Sequence, residues 1–128
     1  MELPTEPVEI VAGAVQLRPW EDRLATELAV LHGHAEPDGI ARRLQEWREG
    51  VALSFAVQEI TTARLLGEVV LRPMPNGVAS VTGWALPAAT GQVSDAMEAV
   101  RRWALGALGA QQVELSRVPS IGSGTFEE

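Results

Sequence analysis

Residues 83 to 92, GWALPAATGQ, join an alternating apolar run to a long amphipathic one. A strand that turns through Pro87-Ala88-Ala89-Thr90-Gly91 straight into a helix brings several backbone N–H groups to one point. The first turn of a helix has no carbonyls of its own to receive those donors, and the helix dipole favours negative charge there. The chemistry on offer is the binding of an anion such as a phosphate; the plainer alternative is a short connection. His32 and His34, in LHGHAEPD, form a His-x-His pair that could hold a metal ion. No further cluster of ligands stands beside them in the sequence, so a metal is not expected and surface-loop histidines are the simpler reading. Glu68 interrupts the apolar run LLGEVVLR, and a lone carboxylate in a strand ordinarily belongs to its solvated face.

Missing residue types narrow the chemistry further. Cysteine is absent, which removes disulfides, thiolate metal sites and a thiol nucleophile. All ten basic residues are arginine, so there is no Schiff-base lysine and no P-loop lysine, and without tyrosine no phenol can act as an acid. The net charge is −7 and the sequence pI about 4.8, which speaks against a broad nucleic-acid footprint. The length of 128 residues fits one domain, and 46% hydrophobic with 21% charged residues is an ordinary globular balance. No apolar run approaches the length of a membrane span and no basic leader precedes an apolar core, so a cytoplasmic protein with no membrane contact is expected.

The elements that must position these residues follow from periodicity. MELPTEP, residues 1–7, reads as a loose arm, and VEIVAGAVQLRP as β-structure broken at Gly13. Leu24, Leu28 and Leu31 recur at helical spacing from Glu21 to Leu31, with Gly33 as the stop. DGIARRLQEWREG is a second helix with Ile40, Leu44 and Trp47 as its apolar stripe and Asp38 as a cap. The period then changes: residues 52–60 and 65–72 read as a hairpin turning at TTAR, and residues 77–86 as a third strand after PMPNG. The longest helix is predicted from Ser94, with Met97, Val100, Ala104 and Leu108 on one face, and QVELSRV, residues 112–118, is a last strand. A meander followed by a strand–helix–strand crossover implies a mixed α/β sheet whose last strand runs parallel to its neighbour. Trp20, Trp47 and Trp103 have periodic apolar neighbours and read as core residues.

In this order the segments VQLRPW, FAVQEI, LLGEVVL, ASVTGWALP, AVRRWALGALG and QQVEL resemble the GNAT acyltransferases, and in particular their ribosomal-protein N-acetyltransferase-like (RimJ/RimL-type) branch. The resemblance spans residues 8 to about 118 and rests on the ordered set, with Trp84, Trp103 and the stretch LGxxxVEL from Leu108 to Leu115 in sequence. It implies a GNAT-like α/β fold, a mixed and mostly antiparallel sheet flanked by helices, here without the last strands of the family. It implies that residues 79–86 splay from residues 112–118 and that the pantetheine arm of acetyl-CoA lies in the split against main-chain groups of Trp84, Ala85 and Leu86. The turn and helix start, Ala89, Thr90, Gly91, Gln92 and Val93, would hold its pyrophosphate. The turn departs from the family pattern: one glycine is missing, no arginine lies in it, and Asp95 adds a negative charge just inside the helix.

The chemistry that the resemblance implies is direct transfer, in which a deprotonated amine attacks the thioester carbonyl while a base takes its proton and backbone N–H groups stabilise the oxyanion. The family's base position falls on Ser80 or Val81, depending on where the loop is shortened, so Ser80 is the catalytic candidate on that strand. Glu68, on the preceding strand, is the second candidate if it reaches the cleft. His32 and His34 fall where the family borders its acceptor, and Glu114 matches a structural position. Ser120 and Ser123 stand in the Gly- and Ser-rich tail, residues 119–128, as candidates to protonate the leaving thiolate. The expected function is an acetyl-CoA-dependent N-acyltransferase acting on a protein N-terminus or a small amine. The alternative is a catalytically inactive GNAT-fold protein that serves as a ligand-binding or interaction module. An uncovered sheet edge implies a homodimer or another partner over it.

Overall fold

The computed structural model describes residues 1–118. Its sheet has six strands in the order β1 (Ile10–Ala12), β2 (Val15–Arg18), β3 (Leu53–Glu59), β4 (Leu65–Pro73), β5 (Val78–Ala85) and β6 (Gln112–Val118). Neighbours pair antiparallel except β5 and β6, which are parallel and joined by a helix, as the pattern predicted. The helices are α1 (Ala25–His32), α2 (Gly39–Arg48) and α3 (Thr90–Gly106). A 3-10 turn, Asp22–Leu24, leads into α1, and Gly33 ends that helix at φ 80, the left-handed conformation that closes a helix C-terminus.

Alternation along the strands divides the core in two. Leu53, Phe55 and Val57 of β3 and Ala79, Val81 and Ala85 of β5 face α3, which buries Val93, Met97, Val100 and Ala104 against them. The opposite face carries Ala56 and Leu65 under Leu28 and Leu31 of α1 and Ile40 of α2, with Trp20 and Leu24 from the preceding turn. The tryptophan expectation holds for Trp20 and Trp47, both buried, and Trp103 packs half-buried against the α3 core with its ring edge-on to Phe55. Within residues 1–7, expected as a loose arm, the Glu2 N–H donates to the Leu108 carbonyl and Leu3 packs against this core. At the far edge of the sheet, β6 leaves Leu115 exposed.

Three local features depart from the sequence reading. α3 begins at Thr90, four residues before the expected Ser94. Gly91 reads as punctuation in sequence, yet Val93 is fully buried against Gly67 and Gly83, so the first turn is held by tertiary packing. β3 and β4 shift register between Val57 and Gln58, a bulge that a local pattern does not show. The expected splay of β5 from β6 is absent: the two strands pair over seven consecutive rungs, from Val78–Gln112 to Trp84–Val118. Neither strand carries a proline or a register shift that would open the ladder, so the backbone groups satisfy one another along its length.

The turn into α3 holds Ala88 at φ 71, a left-handed conformation that costs a non-glycine residue about 1–2 kcal/mol. Ala88→Gly is expected to leave stability unchanged or raise it by up to about 1 kcal/mol, because relief of strain is partly offset by the freer unfolded chain. Ala88→Val should lose more than about 1 kcal/mol, since a β-branched side chain is worse still at positive φ. Urea unfolding of the two variants checks the pair.

Candidate active site

β4 passes between β3 and β5, which places Glu68 beside Ala56 on one side and Trp84 on the other. Its side chain is 2% exposed and points away from α3, into a cleft of about 160 Å³ under α1 and α2. Four donors meet its two oxygens. Arg43 Nε lies 2.6 Å from Oε2 and Nη2 lies 3.2 Å from Oε1, a two-pronged grip of guanidinium on carboxylate. His32 Nε2 lies 2.7 Å from Oε1, and the Ser54 hydroxyl donates to Oε2.

Each donor is itself held. Arg43 reaches back to Glu36 Oε1 at 2.8 Å and to the Gly39 carbonyl at 3.0 Å, and its guanidinium stands 5.6 Å over the Trp20 ring. Trp20 Nε1 donates to Ser54 Oγ at 2.8 Å. The His32 ring meets the edge of Trp84 at 5.5 Å and 67°. The network therefore ties α1, α2, β3, β4 and β5 together at one point.

Burial alone would raise the Glu68 carboxyl above its ordinary value. Hydrogen bonds from His32 and Arg43, the charge of Arg43 and the Ser54 hydroxyl outweigh that and bring it down to about 2. Glu36 is lowered in the same way, its partial burial overcome by Arg43, with His32 and Arg42 adding to the effect. Arg43 loses by burial and gains more from Glu68 and then Glu36, so its pKa rises and it stays charged. At neutral pH Glu68, Glu36 and Arg43 are ionised, an ion-pair centre set in a low-dielectric wall.

On the other side of Trp84, the chain leaves β5 and runs through Leu86 and Ala89 into α3. The Leu86 N–H is taken by the Leu66 carbonyl, the Ala89 N–H by Leu86 and the Val93 N–H by Ala89. No side chain caps the helix at Ala89. The N–H groups of Thr90, Gly91 and Gln92, in the first turn, have no intrahelical carbonyl to meet, and all three residues are exposed. A side chain built on Gly91 would meet no atom within 4 Å.

No family model matches the sequence, and no curated protein matches it. Solved structures do match the fold. A Vibrio cholerae protein assigned as a ribosomal-protein-serine acetyltransferase superposes with a TM-score of 0.73 at 22% identity, over 84% of this chain and 72% of that one. RimJ of Mycobacterium smegmatis, in complex with CoA-disulfide, gives 0.74 at 17% identity over 88% and 69%. A GNAT-family acetyltransferase of Bacillus anthracis gives 0.65 at 13% identity over 83% and 71%. The chain has the GNAT acetyltransferase fold.

Within that GNAT fold the expected residues fall into separate places. Glu68 and His32 come together in the cleft, with Trp84 beside them. The solvated strand face expected for Glu68 is corrected by its burial: α1 and α2 cover that face, and Arg43 supplies the countercharge that makes burial tolerable. His34 stays exposed, with only an Nδ1 contact at 3.3 Å to the Ala35 carbonyl, so the two histidines do not converge. Among the described residues no group of three or more His, Asp or Glu could hold a metal ion. Nor is any described helix long and apolar enough to cross a membrane.

Ser80 shares the Glu68 face but pairs with Arg72, four residues along β4, roughly 14 Å away at strand spacing. Ala85, Ala89 and Val93 have buried side chains and present only backbone to the turn, whereas Thr90, Gly91 and Gln92 are exposed at the helix start. Ser120, Ser123 and the tail lie outside the described residues. Arg43, Ser54 and Glu36 were missed in the sequence. Arg43 had a signal, because it stands three residues after Ile40 and four before Trp47, on the apolar stripe of its own helix.

Proposed function

We propose that this chain is an acetyl-CoA-dependent N-acyltransferase that transfers an acetyl group to a primary amine, either a protein N-terminus or a small amine. The observation that carries this is the uncapped start of α3. The first-turn residues Thr90, Gly91 and Gln92, all exposed and with open space where a Gly91 side chain would begin, stand just past the end of β5, one strand from the ionic cleft around Glu68. Likeness in fold to acetyltransferases, one of them solved with a CoA-disulfide, agrees with this reading. Thr90, Gly91 and Gln92 would hold the pyrophosphate, and Trp84, Ala85 and Leu86 would line the approach of the thioester to the cleft. Positioning the amine against the thioester supplies much of the acceleration such a reaction needs.

The test is calorimetric titration with acetyl-CoA and with desulfo-CoA. Binding in the micromolar range is expected, and Gly91→Trp should abolish it without unfolding the chain, because that position has open space around it. No heat at millimolar ligand would sink the proposal. A second reading, a non-catalytic GNAT-fold module for a ligand or partner, draws support from the unbroken β5–β6 ladder, which leaves no slot between these strands up to Trp84. Binding of acetyl-CoA without acetyl transfer is the result that favours it.

A further inference from the structure

We propose that His32, not Glu68, is the group that takes the proton from the attacking amine, with Glu68 as the residue that orients it; this rests on the acyltransferase reading above. Glu68 has no capacity left. Both its oxygens are occupied by Arg43, His32 and Ser54, and it is wholly enclosed. A carboxylate so held is a weak proton acceptor at neutral pH. It is a strong hydrogen-bond acceptor, however, and this decides the state of its neighbour.

An ionised carboxylate 2.7 Å from His32 Nε2 requires the proton of a neutral imidazole to sit on Nε2. The lone pair is then on Nδ1, which has no hydrogen-bond partner among the described residues. Of the side chains gathered on Glu68, His32 is more exposed than Arg43, 12% against 8%, with Glu68 itself at 2%, and it lines the cleft. Its ring rests on Trp84, the residue of β5 nearest the proposed thioester path. The arrangement is a carboxylate that fixes a tautomer, an imidazole that it holds, and a second ring nitrogen without a hydrogen-bond partner among the described residues, on a residue that lines the cleft.

The step balances as follows. Nδ1 takes one proton from the ammonium group of the acceptor, and the freed amine lone pair forms the N–C bond at the thioester carbonyl. The C–S pair leaves on sulfur, and the second amine proton goes to that thiolate. The products are an amide, a thiol and an imidazolium that returns its proton to water. The charged groups that line the cleft with His32 are Glu68 and Arg72 of β4, Arg43, Arg42 and Glu46 of α2, and Glu36 of the loop between the helices. The three carboxylates and three guanidiniums balance in formal charge, and Glu68 is the one in hydrogen-bond contact with the ring.

The experiment has two readouts on the full chain. Nitrogen-15 NMR of the His32 ring at neutral pH should show the Nε2–H tautomer; an Nδ1–H tautomer overturns the proposal whatever the activity. Steady-state acetylation of ethylamine with acetyl-CoA, followed by thiol release, should fall about 10²–10⁴-fold in kcat for His32→Gln, with the dissociation constant for acetyl-CoA unchanged. The acidic limb of the wild-type pH profile should vanish in that variant. A loss of less than fivefold overturns the role, as does a wild-type protein that binds acetyl-CoA and transfers nothing. Failure of the wild type to bind acetyl-CoA counts instead against the function proposed above.

Discussion

Glu68→Ala is expected to cost the chain about 3–5 kcal/mol, a large part of what a domain of this size has to lose. The deletion leaves Arg43, with a side chain 8% exposed, enclosed beside Ser54 with its main countercharge gone. Arg43 keeps only Glu36 and the Gly39 carbonyl, both on one end of the guanidinium. The cost is the desolvation of an uncompensated cation, so removing the cation as well should recover much of it. The double variant Arg43→Leu/Glu68→Ala is expected to be more stable than the sum of the singles, and urea midpoints of the four proteins measure that coupling.

The same carboxylate sets an acid dependence with a definite sign. Its folded value of about 2 lies below the unfolded one, roughly 4.3. Above the unfolded value the carboxyl is ionised in both states and its contribution, on the order of 3 kcal/mol, is fully present. As pH falls from about 4.5 towards 2 the unfolded chain binds a proton that the folded chain refuses, and the contribution is lost through that window. Glu36, also lowered, adds a slope of the same sign. Wild type should therefore lose stability between pH 4.5 and 2.5 more steeply than Glu68→Ala. Parallel curves for the two proteins would contradict the ionised centre.

Gly67→Ala is the second large effect, expected at about 3 kcal/mol. A methyl group there would overlap the backbone carbonyl oxygen of Trp84 and stand 2.6 Å from Val93 Cγ2. The first of these is main chain in the β4–β5 ladder, so the strand itself must move, which is the expensive form of overpacking. Gly83→Ala meets the sulfur of Met97 at 2.5 Å, the flexible end of a side chain, and should cost less. Gly91→Ala meets nothing and should gain up to about 1 kcal/mol from helix propensity. The order of loss is thus Gly67, then Gly83, with Gly91 a gain, and thermal unfolding of the three tests it. Gly67→Ala should also weaken the acetyl-CoA binding proposed above, because the displaced segment leads directly into the helix start. A Gly67→Ala protein within 1 kcal/mol of wild type would show that β4 and β5 do not approach this closely.

Sequence periodicity by itself determined the kinds and order of the elements: period-two runs for β3, β4 and β5, a helical stripe for α3, and a parallel last strand from the strand–helix–strand order. These are local properties, written in residues a few positions apart. The chemistry of the turn at residues 87–92 was equally legible, because orphan N–H groups belong to any helix start. The state of Glu68 was not legible. Whether a lone carboxylate in a strand is solvated or buried depends on what covers its face. The cover comes from Arg43, 25 residues away, and His32, 36 away. The start of α3 was misjudged for the same reason, since Val93 is held by Gly67 and Gly83 on two strands. Only the tertiary structure decided that Glu68 is buried in an ion pair with Arg43 and that His32 joins it, because desolvation and ion pairing depend on neighbours brought together by packing rather than by sequence.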